Sequence, residues 1–161
     1  MLLKQFDITT VYVTHDHYEA MILADLLAIM NQGRIEQIGT YEEIYAEPRN
    51  AFVAGFLNRH VGLPPISFVR LPDGTHIGVR PEDIDVTHEP REGAMRGVVE
   101  SAIDLPLINA AMLVVKAGPY EIHAQARGAR FRPGDDAGLT FTRFHVFDSD
   151  GVRVETRTMT P

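Results

Sequence analysis

Several residue types and patterns that define common protein classes are scarce or absent in this 161-residue chain. It has no cysteine, which excludes a disulfide framework and thiolate metal sites. It has two lysines, Lys4 and Lys116, and a formal net charge of -7, so no basic stripe for a nucleic-acid backbone is visible. Its longest apolar run, residues 20–30, is interrupted by Asp25 and is shorter than the roughly 20 residues that cross a bilayer. We therefore expect neither nucleic acid as a partner nor a membrane-spanning helix.

The overall composition and the N-terminus indicate a folded cytoplasmic protein. Hydrophobic residues make up 45% and charged residues 23% of the chain, which is typical of globular domains that bury a core. The first ten residues, MLLKQFDITT, lack the apolar centre of a secretory signal. A cytoplasmic location is therefore predicted.

The distribution of proline and glycine divides the chain into two parts. Residues 1–58 contain one proline and three glycines, whereas residues 59–161 contain nine prolines and ten glycines. Because these residues interrupt helices and mark turns, the change predicts two units of different architecture. The first is predicted to be mixed α/β and the second β-rich.

The first unit begins with an apolar strand pattern followed by a helix start. Residues 8–14 are β-branched and aromatic, which is typical of a strand buried on both faces. Asp16 followed by Glu19 is an Asp-led variant of the capping box and predicts a short helix. Residues 26–39 then predict a β-hairpin, with Gly33 supplying the positive φ of its turn.

Two further helix starts follow the predicted hairpin. Thr40 and Glu43 form a second capping box, and the helix that they begin must end at Pro48. Asn50 can cap another short helix, which is predicted to run through Leu57 and to bury one apolar face.

The second unit consists of short alternating runs separated by turns. Polar and apolar residues alternate most clearly over residues 121–126. The other predicted strands cover residues 94–102, 110–116, 139–144 and 152–156. Five or more short strands in about 100 residues favour a small barrel or sandwich, because closing a sheet removes its exposed edges.

Four segments together carry a resemblance to a known family. VYVTHDHYEAMILAD at 11–25 resembles the switch-histidine segment of ABC importer ATPases of the maltose, glycerol-phosphate and polyamine type. GRIEQIGTYEEIYAEPRNAFVAGFLN at 33–58 resembles the stretch that follows it in that family. GVRPEDI at 78–84 and FHVFDSDG at 144–151 resemble parts of the family's regulatory domain, a barrel related to the OB-fold and often called TOBE.

The resemblance implies an α+β chain with a defined domain order. Residues 1–58 would be the C-terminal end of a RecA-like α/β ATPase core, and residues 59–161 would be the OB-like TOBE barrel. The intact subunit would use ATP and Mg²⁺, pair with a second copy, and bind the membrane permease from the inner face of the membrane. It would thereby energise uptake of a sugar, sugar phosphate, polyamine or similar solute.

The resemblance also assigns roles to individual residues. His15 takes the place of the switch histidine, which senses the γ-phosphate at the carboxyl end of a buried strand, where α/β sheets bind ligands. Asp16 would orient that loop, although helix capping alone also explains it. Arg80, Pro81 and Glu82 would belong to the regulatory domain, either as an Arg–carboxylate pair that fastens a turn or as a small-anion site.

Sequence motifs needed for ATP hydrolysis are missing from the chain. It contains no phosphate loop of the form GxxxxGK[ST], no LSGGQ-like signature and no acidic Mg²⁺-holding pair. We therefore expect the chain alone to bind no nucleotide and to be inactive as an ATPase.

Three alternative interpretations follow from the same residues. A metal site at His15, Asp16 and His17 is disfavoured, because adjacent side chains on one turn diverge instead of converging. A stand-alone module that dimerises or binds a small ligand through the barrel is the second alternative. An OB-fold that binds single-stranded nucleic acid is the third, and it is disfavoured by the negative net charge and the shortage of lysine.

Overall fold

The computed structural model describes residues 9–57 and 66–159, which form three short helices and eleven strands. The helices are α1 (His17–Leu23), α2 (Tyr41–Ala46) and α3 (Ala51–Phe56). The strands are β1 (Leu27–Asn31), β2 (Arg34–Gly39), β3 (Ser67–Arg70), β4 (His76–Val79), β5 (Ile84–Thr87), β6 (Met95–Leu105), β7 (Ala110–Ala117), β8 (Tyr120–Arg127), β9 (Asp136–Phe141), β10 (Arg143–Phe147) and β11 (Arg153–Thr158). Within the described ranges, no helix is long and apolar enough to cross a membrane.

The predicted hairpin is confirmed as the antiparallel pair β1–β2. Its two-residue turn, Gln32–Gly33, has positive φ at both positions (48° and 79°). Such a turn matches the twist of the flanking strands, and glycine adopts this backbone conformation without strain.

Both predicted helices after the hairpin are also confirmed. At α2, Glu43 N donates to Thr40 Oγ1 at 3.2 Å and Thr40 N donates to Glu43 Oε2 at 2.9 Å, so the capping box is complete. The helix ends at Ala46, two residues before Pro48. At α3, Val53 N donates to the side chain of Asn50 at 2.9 Å. Local capping chemistry therefore sets where both helices begin.

The hairpin and the two helices share a small apolar core. Ile29 from β1, Ile44 from α2, and Val53 and Leu57 from the α3 region are buried together. Helices of six residues are too short to be stable in isolation. Burial of these side chains therefore stabilises α2 and α3 in this arrangement.

Residues 66–159 contain two antiparallel sheets. The four-stranded sheet has the order β11-β10-β4-β3, and the five-stranded sheet has the order β5-β9-β6-β7-β8. β5 and β8, the two edges of the larger sheet, lie against each other, so this sheet curls into a partly closed barrel. Side chains from both sheets fill one apolar core. The predicted β-rich unit is confirmed at this level.

One predicted strand, residues 139–144, is wrong as a single element. The structure divides it between β9 and β10, which belong to different sheets. Thr142, between them, donates from both N and Oγ1 to the carbonyl oxygen of Asp83, at 2.8 Å each. Thr142 therefore lies where the chain passes from one sheet to the other. Its partner is 59 positions away in sequence, so an alternation of apolar residues cannot predict this contact. β3, β4 and β5, each of four residues, are absent from the strands predicted by alternation, although the family segment at 78–84 overlaps β4 and β5.

The predicted buried strand at residues 8–14 is also wrong over the described residues 9–14. These residues form no strand, and Val11 and Val13 are each 89% exposed. A buried parallel strand needs neighbours on both sides. Every strand pair in the described part of the chain is antiparallel and none includes this segment.

Candidate functional site

His15 lies at a bend between the extended residues 9–14 and α1, and its side chain is exposed. The residue after it, Asp16, caps the helix: Tyr18 N and Glu19 N donate to Asp16 Oδ1 at 2.9 and 3.0 Å. The predicted helix start is therefore confirmed. The cap fixes the chain direction immediately after His15 and leaves the imidazole available to a partner.

In the expected capping box, the carboxylate of Glu19 would accept a hydrogen bond from Asp16 N, but Thr14 accepts that bond instead. Glu19 Oε2 accepts from the hydroxyl of Tyr12 at 3.1 Å, while Asp16 N donates to Thr14 Oγ1 at 2.9 Å. The hydroxyl of Thr14 thus takes the position that a glutamate has in a complete box. These bonds hold the turn from both sides of His15.

The predicted regulatory motif lies in another part of the fold, at the end of β4. Arg80 is only 3% exposed, and its guanidinium carbon is 3.5 Å from the centroid of the Tyr45 ring on α2. Arg80 Nη2 also donates to the carbonyl oxygen of Tyr45 at 2.6 Å. Pro81 is buried at the start of a 3₁₀ turn, Pro81–Asp83. These contacts connect the motif to α2.

Glu82 reaches the same helix through the hydroxyl of Tyr45, which donates to its carboxylate. Burial raises the pKa of Tyr45, and the hydrogen bond to Glu82 acts in the same direction against the opposing effect of Arg80. The hydroxyl therefore remains a donor at neutral pH. Tyr45 thus contacts both Arg80 and Glu82.

A set of charged residues that the sequence interpretation missed surrounds the C-terminal end of α2. Arg143 Nη2 donates to the carbonyl oxygen of Ala46 at 2.8 Å and to Glu47 Oε1 at 3.3 Å. Arg153 donates to the other carboxylate oxygen of Glu47. Cations are stabilising near a helix C-terminus, where carbonyl groups lack intrahelical partners. The predicted strands at residues 139–144 and 152–156 include Arg143 and Arg153, but a strand pattern does not indicate which distant residues these side chains contact.

His145 on β10 lies beneath this set of arginines. It is 3% exposed, and its Nδ1 is 2.9 Å from Thr156 Oγ1. Burial lowers the pKa of His145 to about 4, and repulsion from Arg80, Arg143 and Arg153 contributes to the lowering. The imidazole is therefore neutral at pH 7, with three guanidinium groups nearby.

We expect the stability of the protein to decrease in acid because of His145. Between about pH 6.5 and pH 4, the unfolded chain takes up a proton on this residue and the folded chain does not, so stability is lost as pH falls. The free energy of unfolding should fall by about 2 kcal/mol more between pH 7 and pH 5 in the parent than in His145→Gln. Urea denaturation of both proteins at the two pH values measures this difference. An equal pH dependence would contradict the prediction.

Comparison with known proteins places the whole chain in context. No protein-family model matches it. It is 31% identical over 185 aligned positions to the trehalose/maltose import ATP-binding protein MalK of Thermococcus litoralis, an alignment that covers 91% of this chain and 48% of that protein. It is 30% identical over 171 positions to the sulfate/thiosulfate import ATP-binding protein CysA 2 of Shewanella oneidensis, covering 92% of this chain and 48% of that protein.

A third relative matches a shorter stretch at higher identity. The sn-glycerol-3-phosphate import ATP-binding protein UgpC of Rhodopseudomonas palustris is 40% identical over 102 positions, which cover 55% of this chain and 27% of that protein. The matches fall in the C-terminal region of these relatives. The chain spans about half of their length or less.

Proposed function

We propose that this chain supplies the switch-histidine segment and the regulatory domain of an ABC importer ATP-binding subunit. The premise is that the chain belongs to the family of these ATP-binding subunits. The observation that carries the proposal is the alignment over 91% of the chain with a trehalose/maltose import ATP-binding protein. In that role the intact subunit hydrolyses ATP to drive uptake of a sugar, sugar phosphate, polyamine or similar solute. Residues 11–25 and 33–58, which stand in the family order, are the segments that carry the family resemblance most clearly.

His15 is the residue of this chain that we assign to the reaction. An imidazole can donate to a γ-phosphate oxygen or help to orient the attacking water. Its exposed position beside a capped helix start fits a contact with nucleotide held by another part of the subunit. Asp16 acts as a positioning residue, since its carboxylate holds the start of α1.

The nucleotide itself would be held by groups outside this chain. The sequence has no phosphate loop whose backbone N–H groups could cradle phosphates and no acidic pair for Mg²⁺. Among the described residues, we therefore assign one contact with ATP, from His15 to the γ-phosphate. We propose that residues 1–58 are the end of a RecA-like core and residues 59–161 the OB-like TOBE barrel. The curled antiparallel sheet supports the second assignment.

Purified 161-residue chain is expected to show no magnesium-dependent ATP binding and no ATP turnover. The physical reason is that one histidine cannot replace the phosphate loop and the metal-holding carboxylates. Calorimetric titration with ATP and Mg²⁺ measures binding, and phosphate release measures turnover. Saturable tight binding would contradict the proposed division of roles.

A chimaeric subunit tests the proposal directly. The upstream half of the Thermococcus litoralis relative would be joined to residues 9–161 at the aligned position, with the relative's own sequence as the matched control. We expect the chimaera to bind and hydrolyse ATP at a rate comparable with that of the control. Normal nucleotide binding without turnover would show that this chain does not provide the switch function.

We further propose that the intact subunit pairs with a second copy and works with a membrane permease at the inner, cytoplasmic face of the membrane.

Val11 and Val13 are almost fully exposed in this chain, and such apolar surface favours association. Purified chain is therefore expected to form a dimer or higher oligomer. Sedimentation over a hundredfold concentration range, compared with a Val11→Ser/Val13→Ser variant, measures this. A monomer of 18.0 kDa at every concentration would contradict it.

The alternative function is a stand-alone regulatory or dimerisation module without ATPase activity. It is favoured by the absence of a phosphate loop from the sequence. The chimaera distinguishes the two functions, because a stand-alone module would not support turnover when it replaces the corresponding half of an importer subunit.

A further inference from the structure

The chain segment that contains α2 and α3 is joined to the β-rich part by backbone hydrogen bonds. Arg153 N donates to the carbonyl oxygen of Arg49 at 3.0 Å, and Ala51 N donates to the carbonyl oxygen of Gly151 at 2.8 Å. Between them, Asn50 and Val152 form an antiparallel bridge. The start of α3 is thus hydrogen-bonded to the loop between β10 and β11, as one strand is to another.

Apolar side chains cover the same junction. Ala54 of α3 is fully buried against Ile66 and Phe147, which are also buried. Phe68 of β3 packs against this cluster. Since Ala54 neighbours Val53, which belongs to the core of the hairpin and helices, α3 contributes to two cores at once. Separating α3 from the sheets would expose both.

Four charged residues form what we call the α2 latch: Glu47, Arg80, Arg143 and Arg153. Three guanidinium groups of the β-rich part meet the last carbonyl groups of α2 and the single carboxylate of Glu47. The ion pairs are partly exposed, but Arg80 is buried and its hydrogen bond is short. Charge-assisted bonds from a planar guanidinium also fix orientation. The latch therefore sets the angle of α2 on the sheet.

The segment before β1 has a different environment. Val11, Val13 and Ile22 are 89%, 89% and 51% exposed. The hydrogen bonds described for Tyr12 and Asp16 stay within the segment, to Glu19, Thr14 and the start of α1. These hydrogen bonds are thus local.

We propose that residues 27–57 form one structural unit with the β-rich domain, held by the α2 latch. The unit begins at β1, whereas composition alone predicts a boundary at residue 58. Its parts are joined by the backbone bridge of Asn50 and Val152, the apolar cluster around Ala54 and the latch. This unit does not depend on the proposed function.

Hydrogen exchange of the full 161-residue chain, read amide by amide by NMR, tests the unit. In the parent protein, the amides of Ile44 and Ala54 should be protected to nearly the same extent as those of β10, and at least about 100-fold more than that of Ala24 in the α1 region. Protection nearer to that of Ala24 than to that of β10 would overturn the proposal.

Glu47→Gln tests the latch itself, and Glu42→Gln on the same helix is the matched control. Glu47→Gln keeps the shape but removes the charge that faces two arginines, so we expect amides of α2, α3 and β10 to exchange about threefold to tenfold faster by a common factor. Glu42 is exposed on the first turn, and its variant should change exchange by less than about twofold. Acceleration confined to α2, or equal in both variants, would overturn the latch.

This experiment separates failure of the inference from failure of the proposed function. Exchange rates need neither nucleotide nor permease, so the unit and its latch are measured directly. The chimaera could fail to hydrolyse ATP while the exchange pattern is as expected. Conversely, the chimaera could hydrolyse ATP while the exchange pattern contradicts the proposed unit.

Discussion

ATP turnover by the intact subunit should fall about 100-fold to 1,000-fold when His15 is replaced by alanine. Removal of one positioned hydrogen-bond group at a developing charge has an effect of this size. Nucleotide binding should be retained, because this chain contains no phosphate loop and the substitution therefore removes none of the groups that cradle the phosphates. The chimaeric subunit described above provides the protein, with phosphate release measuring turnover and calorimetry measuring binding.

His17→Ala is the matched control for this experiment. His17 is the first residue of α1, two positions beyond the proposed switch residue. Its replacement should leave turnover within about threefold of the parent, since an alanine at a first helical turn is well tolerated. Near-normal turnover in His15→Ala, or equal losses in both variants, would refute the role of His15.

Arg80→Met should lower the free energy of unfolding by about 3 kcal/mol, the largest stability effect that we predict. The substitution removes a charge-assisted hydrogen bond to Tyr45 O and the stacking of the guanidinium on the Tyr45 ring. It also leaves the carbonyl group of Tyr45 without the donor that the buried Arg80 supplies. Urea denaturation followed by circular dichroism measures the loss.

Arg91→Met provides the comparison for Arg80. Arg91 forms an ion pair with Asp85 whose side chains are 57% and 41% exposed, so its loss should cost about 0.5 kcal/mol or less. Arg80→Lys keeps the charge but not the planar fork, and we expect an intermediate loss. Should Arg80→Met fail to fold, Arg80→Lys still gives a measurable difference. Equal stability of Arg80→Lys and Arg91→Met would contradict the role of the stacked guanidinium.

Contacts close in sequence were well predicted. The capping box of Thr40 and Glu43, the cap of Asn50 and the glycine turn at Gly33 all appear where the sequence places them. Each depends on a side chain and backbone groups within three residues, so the local chemistry is sufficient. Asp16 is the partial exception, since it caps α1 while the partner of Asp16 N is Thr14 instead of Glu19.

Contacts distant in sequence were not predicted. Arg80 was singled out as a motif residue, but its partner Tyr45 lies 35 positions away, and Glu47 meets Arg143 and Arg153 across 96 and 106 positions. From the neighbouring residues in the sequence alone, each of these side chains would be predicted to be exposed to solvent. Only the folding of α2 onto the four-stranded sheet places them together.

The sequence by itself determined the hairpin, the starts of the three helices, the β-rich nature of the second part, and the importer family to which the chain is homologous. The tertiary structure decided the exposure of the segment before His15, the turn from β9 to β10 at Thr142, and the position of α2. The physical reason is the range of the interactions. Capping and turn preferences act over a few residues, whereas strand pairing, burial and charge clustering depend on which distant surfaces meet.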